Sequence, residues 1–171
     1  MKTAFAVPTP SVPIKGSDEV FPVHRIYCVG RNYAAHAREM GIDPDREPPF
    51  FFLKPSDAIV LNNEDLPYPA RTENLHHEIE LVVAIGKDGK NIPKEKANEY
   101  IFGSAVGNDI TRRDIQVAMR KQGRPWDAGK SFDRSAALTD IQRVEETGII
   151  ESGKIAITVN GDTRQESNID H

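Results

Sequence analysis

The stretch "NLHHEIELVVAIG", residues 74–86, sets two acids at the head of an apolar run. Glu78 and Glu80 stand two residues apart, and Leu81, Val82, Val83, Ala84 and Ile85 follow at once. A short run of this kind, closed by Gly86 and the turn "KDGKN" at 87–91, reads as a strand over 78–85. Side chains two apart on a strand share a face, so the two carboxylates point together and Val82 and Ala84 continue that face. Bare carboxylates on a buried face repel one another, and each loses hydration at a cost on the order of several kcal/mol. Two readings remain open from this stretch alone. Either a cation compensates the acids, or the strand is an edge with its acids in water.

A second apolar run, "SAVGND" at 104–109, also ends in an acid, Asp109. Three carboxylates at strand positions suit a hard, oxygen-seeking cation such as Mg²⁺ or Mn²⁺. Zinc is less suited. His76 and His77 are adjacent and so face opposite ways on a strand, and the chain has no HExxH or CxxC spacing. His77 is a minor candidate for the site, and His76 reads as structural.

With 171 residues the chain suits one domain with a real core, and 28% charged residues argue against wholesale disorder. A net charge of -4 without a basic block argues against nucleic acid as the main partner. Cys28 is the single cysteine, which forbids an internal disulfide and fits a reducing compartment. Its setting, "RIYCVG", reads as a packed thiol rather than a nucleophile. No run approaches the ~20 apolar residues of a membrane helix, and "TAFAV" is too short for a signal peptide. The expected location is the cytoplasm, away from membranes.

Along the chain, residues 1–20 hold Pro8, Pro10 and Pro13 and read as an extended arm or edge segment, with the main domain at 21–171. Residues 25–30 read as a strand and 32–41 as a short helix from Asn32 to Gly41. Residues 43–49 read as a loop, and "FFFLKP" at 50–55 as a strand closed by Pro55. The pattern predicts helices over 93–103, with Pro93 in the first turn, and over 111–123, with Thr111 and Asp114 as a capping box and Gly123 as the stop. Residues 154–165 read as a hairpin around Asn160-Gly161. Many strands with few short helices predict an α+β fold or a β-rich roll.

The ordered segments "YCVGRNYAAHAREMG", "FFLKPSDAIV", "LHHEIELVVAIG", "GNDITRRDIQ" and "GKSFD" resemble the fumarylacetoacetate hydrolase superfamily, closest to its fumarylpyruvate hydrolase and acylpyruvase branch. The likeness covers roughly residues 20–165. It implies a mixed β-sheet roll with short peripheral helices and a homodimer. Relative to that pattern the C-terminal strands and a "TGTP"-type loop are missing, which is expected to leave strand edges open.

The family's metal-binding E-x-E and distant Asp fall on Glu78, Glu80 and Asp109. Its lid pair falls on His36 and Glu39, its active-site lysine on Lys130, and its oxo-acid-binding glutamine on Gln116. Arg31 lies at the entry to the lid and, with Arg112 and Arg113, is a candidate partner for a distal substrate carboxylate. The implied activity is Mg²⁺- or Mn²⁺-dependent hydrolysis of a carbon–carbon bond in an acylpyruvate, with fumarylpyruvate the expected substrate, as in aromatic degradation. The alternatives are oxaloacetate decarboxylation, hydration or isomerisation of related dienoates, and a non-catalytic fragment serving as an assembly module.

Overall fold

The computed structural model describes residues 3–30, 49–61 and 64–170. The chain folds as mixed β-sheet with few short helices, as the α+β roll expectation had it. At its centre lies β8 (Ile101–Asp109). It pairs antiparallel with β7 (Ile79–Ile85) on one side, and with β10 (Ala136–Leu138) and β11 (Gln142–Arg143) on the other. A parallel partner of β10, β5 (Ile59–Val60), completes this five-stranded sheet.

The inward face of β8 is made of small residues. Gly103, Ala105 and Gly107 are buried in alternation, and Asp109 ends the row. A Cβ on Gly107 would stand 2.6 Å from Val82 Cγ2, and one on Gly103 would strike the Gln142 carbonyl. Neighbouring strands therefore lie close over β8 only because these side chains are absent. Along the same face Ala84, Ala105, Ile141 and Val12 form the core, with Val82, Phe102 and Leu138 packed around them. One sheet face thus runs from apolar core at one end to carboxylate at the other.

Four further antiparallel pairs surround this sheet: β1 (Ser11–Pro13) with β2 (Val20–Pro22), β3 (Ile26–Gly30) with β4 (Phe50–Lys54), β6 (Leu75–His76) with β9 (Thr111–Arg112), and β12 (Lys154–Val159) with β13 (Asp162–Asn168). The last is the expected hairpin. Asn160 and Gly161 take positive φ of 54° and 89°, as a two-residue turn matched to strand twist requires. The segment read as an arm is extended but anchored: Val12 is 1% exposed in the core, and the Ile14 and Ile141 backbones bridge.

Two local expectations need correction. Residues 93–103 do not form an α-helix. Lys94–Tyr100 is a 3-10 helix, and the strand begins at Ile101, because Gly86 N–H already holds the Tyr100 carbonyl beside the sheet. The helix after Asp109 is α1 (Arg113–Lys121), and Thr111 does not cap it. The Thr111 hydroxyl is buried and donates to the Asp109 carbonyl, while Asp114 accepts from the Thr72 hydroxyl and from Glu73 and Ile115 N–H. Gly123 ends that segment at φ +64°. Among the described residues no helix is long and apolar enough to cross a membrane.

Candidate active site

Register settles why two acids share an apolar strand. Glu80 lies opposite Gly107, and the Asp109 N–H donates to the Glu78 carbonyl at 2.8 Å. Directly opposed residues of an antiparallel ladder share a face. Glu78, Glu80 and Asp109 therefore stand together at the polar end of the face whose other end is the core. Glu78 sits just before β7, where its own N–H donates to Asn108 Oδ1 at 3.0 Å.

Three cations meet these acids. Lys130 comes from α2 (Asp127–Lys130), a single turn, and its Nζ donates to Glu78 Oε2 at 2.5 Å and Asp109 Oδ2 at 2.7 Å. From β4, Lys54 places its Nζ 2.8 Å from Asp109 Oδ1. From the first turn of α1, Arg113 pairs with Glu78 Oε1 and donates to Gln116 Oε1 at 3.0 Å. Gln116, 3% exposed, is thereby tied to the acid cluster. The approach of α2 to α1 depends on Gly129, where a Cβ would stand 2.8 Å from Gln116 N.

Aromatic rings wall the cations from water. Lys130 Nζ lies 5.0 Å from the centroid of Phe52, and Phe132 lies between Lys54 at 5.6 Å and Arg112 at 4.2 Å. Trp126 meets Phe50 edge-on at 4.9 Å and Phe52 at 5.8 Å.

The acids titrate differently in this setting. Burial pushes the Glu78 carboxyl up, but Lys130 and Arg113 together hold it below the usual glutamate range. Glu80 has no ion-pair partner among the described residues; burial first, then Glu78 and Asp109, push it up to about 8. The Cys28 thiol is pushed up to about 12, foremost by burial and then by Asp109, which fits a packed thiol.

Among the described residues no three ligating side chains are drawn into a ready cage, since the Lys130 ammonium stands between Glu78 and Asp109. The donor set nevertheless fits a hard divalent cation. It is all carboxylate, Glu80 is raised in part by the negative field of Glu78 and Asp109, which a divalent cation would offset, and buried Asp109 Oδ1 lacks a directional hydrogen bond although Lys54 is near.

Of the residues singled out in the sequence, the structure brings together Glu78, Glu80, Asp109, Lys130, Gln116 and Arg113, the last paired with Glu78. His36, Glu39 and Arg31 lie outside the described residues. His76 Nδ1 accepts a long 3.5 Å contact from Arg113 Nε, and no contact joins His77 to the acids among the described residues. Arg112 stacks on Phe132 instead of facing the carboxylates. Sequence reasoning missed Lys54. Its signal was there: in "FFFLK" Lys54 shares the inward face of Phe50 and Phe52.

The family described as fumarylacetoacetate (FAA) hydrolase C-terminal matches residues 25–171. A fumarylpyruvate hydrolase of Ralstonia sp is 42% identical over 129 residues, covering 75% of this chain and 67% of that protein. An oxaloacetate tautomerase of Escherichia coli is 38% identical over 147 residues, covering 85% and 67%. The crystal structure of fumarylpyruvate hydrolase from Pseudomonas aeruginosa in complex with Mn2+ and pyruvate superposes with a TM-score of 0.95 at 54% identity, covering 99% of this chain and 75% of that one. The chain spans 61% to 67% of the length of curated relatives such as these.

Proposed function

The chain belongs to the fumarylacetoacetate hydrolase family, and from that premise we propose that it serves the hydrolysis of an acylpyruvate, with fumarylpyruvate as substrate and a homodimer as the working assembly. The observation that carries the reading is the face shared by Glu78, Glu80 and Asp109, closed by the Lys130 ammonium. Likeness at 54% identity to a fumarylpyruvate hydrolase solved with Mn2+ and pyruvate supports the choice of ligand and ion.

Cleaving a carbon–carbon bond requires the leaving carbanion to be delocalised, and the leaving group here is the enolate of pyruvate. Glu78, Glu80 and Asp109 would hold a divalent cation, Mg²⁺ or Mn²⁺, through oxygen, and it would supply Lewis-acid stabilisation of that charge. Lys130 donates its ammonium toward the developing oxyanion. Gln116, steadied by Arg113, orients the oxo-acid end. His36, polarised by Glu39, takes a proton from the water that attacks the distal carbonyl. The acyl carbon gains the hydroxyl, and the enolate carbon takes a proton to give pyruvate.

A second reading has a specific observation behind it. Oxaloacetate tautomerases stand among the relatives, and enolisation of oxaloacetate calls on the same oxo-acid grip. A panel assay following pyruvate and enol absorbance, with Mg²⁺ and with Mn²⁺, separates the two. A buried charge-assisted contact to the second carboxylate is worth roughly 1.5–3 kcal/mol, so kcat/KM for fumarylpyruvate is expected to exceed that for acetylpyruvate about tenfold or more. Equal values leave a general acylpyruvase. A dominant oxaloacetate enolisation rate assigns the chain to the tautomerase reading.

A further inference from the structure

Lys54 has no role in the reaction just outlined, yet it is 3% exposed and touches the site at its base. Its Nζ donates to the Ile110 carbonyl at 3.1 Å and the Lys130 carbonyl at 2.5 Å, and lies 2.8 Å from Asp109 Oδ1. These acceptors belong to the end of β8, the residue beyond it, and the last residue of α2. The Lys130 carbonyl also accepts from the Ser135 hydroxyl at 3.1 Å, so the turn that presents the Lys130 ammonium is held twice.

Asp109 is consequently divided between two ammoniums. Oδ1 faces Lys54, and Oδ2 accepts from Lys130. Rotating the Asp109 carboxyl would break an ion pair in surroundings where charges are poorly screened. Burial lowers the proton affinity of the Lys54 amine, and Asp109 opposes that shift.

We propose that Lys54 is a positioning residue: one buried ammonium sets the Asp109 carboxylate and the Lys130-bearing turn relative to each other, and thereby the geometry in which the site takes a divalent cation. Its turnover consequences rest on the acylpyruvate reading; its cation-binding consequences do not. Outer partners of metal-binding side chains typically change metal affinity by about 10–100-fold when removed.

The test is Mn²⁺ titration calorimetry on the parent protein, Lys54→Met and Lys54→Arg, with thermal unfolding and acylpyruvate kinetics alongside. Lys54→Met keeps the stem and removes the charge and the donors. It is expected to fold, to bind Mn²⁺ about tenfold or more weakly, and to lose kcat even at saturating Mn²⁺. The sign is diagnostic. Deleting a positive charge beside a cation site tightens cation binding by Coulomb's law alone, so weaker binding reports lost positioning. Unchanged or tighter Mn²⁺ binding overturns the proposal. So does a Lys54→Met protein that folds at no Mn²⁺ concentration, which would assign Lys54 to the fold alone. Lys54→Arg is expected to bind Mn²⁺ more tightly than Lys54→Met, and failure to do so also overturns it. If the parent turns over no acylpyruvate, the functional reading falls, and the Mn²⁺ affinities still decide the role of Lys54.

Discussion

At the scale of the residue, Glu80 and Lys130 carry opposite risks. Glu80 is raised from the ordinary 4.5 to about 8, so between those values the folded protein binds more protons than the unfolded chain. Stability therefore falls as pH rises through that window, and the loss is complete above about 8. Glu78, held below its ordinary value, works the other way: its contribution is present above 4.5 and lost as pH falls. Glu80→Gln is expected to melt higher than the parent at pH 8 and close to it at pH 4.5, in the presence of a chelator. Parallel melting curves across that range would reject the assignment. Lys130→Met leaves Glu78 Oε2 and Asp109 Oδ2 without their shared ammonium. Breaking one side of a buried pair costs about 3–5 kcal/mol, and losing an oxyanion donor lowers kcat by roughly 10²–10³. Denaturant titration and turnover read the two losses separately.

At the scale of the element, the site depends on small residues that let backbones approach. Gly129 is the sharpest case, because its missing Cβ would meet Gln116 backbone atoms at 2.8–2.9 Å, and backbone cannot rotate aside as a side chain can. Gly129→Ala is expected to push α2 from α1 at a cost of about 1–3 kcal/mol. Because Lys130 follows directly, Mn²⁺ affinity should fall together with stability in that variant. A stable Gly129→Ala protein with parental Mn²⁺ affinity would show that the helices have room. The same logic governs β8, where Gly103, Ala105 and Gly107 admit covering strands and bury Asp109 at the end of their row. An acid buried there needs the three basic side chains that converge on it and Glu78, and each arrives from a different element.

At the scale of the whole molecule, the core and the site are two ends of one sheet face. Val12 closes the core end, contributed by a segment distant in sequence from the strands it covers. Val12→Ala removes two buried carbons where the wall is 1% exposed, and is expected to cost about 2 kcal/mol. Urea titration measures it. A loss near zero would mean that the first residues merely lie along the sheet.

The sequence by itself determined the periodicities and the chemistry. Short apolar runs in 78–85 and 104–109 made strands, Asn160-Gly161 made a hairpin turn, and three acids at strand positions asked for a cation. All of these are encoded within a few neighbouring residues, where side-chain direction follows from backbone geometry alone. Tertiary structure decided what answers the acids. Local pattern alone does not set Lys54, Arg113 and Lys130 apart from other basic residues, although Lys130 matches a family position and Arg113 follows Asp109 closely; the register of β7 on β8, the packing of α2 on α1 and the approach of β4 to α2 bring them to Glu78 and Asp109. It also overruled local signals, ending the expected helix at Tyr100 because β8 begins at Ile101, and turning the Thr111 hydroxyl to the Asp109 carbonyl instead of a helix cap. The physical reason is range: propensity acts over a turn or two, whereas burial, hydrogen bonding and charge pairing join residues far apart in the chain, 76 positions for Lys54 and Lys130 and 124 for Glu19 and Arg143.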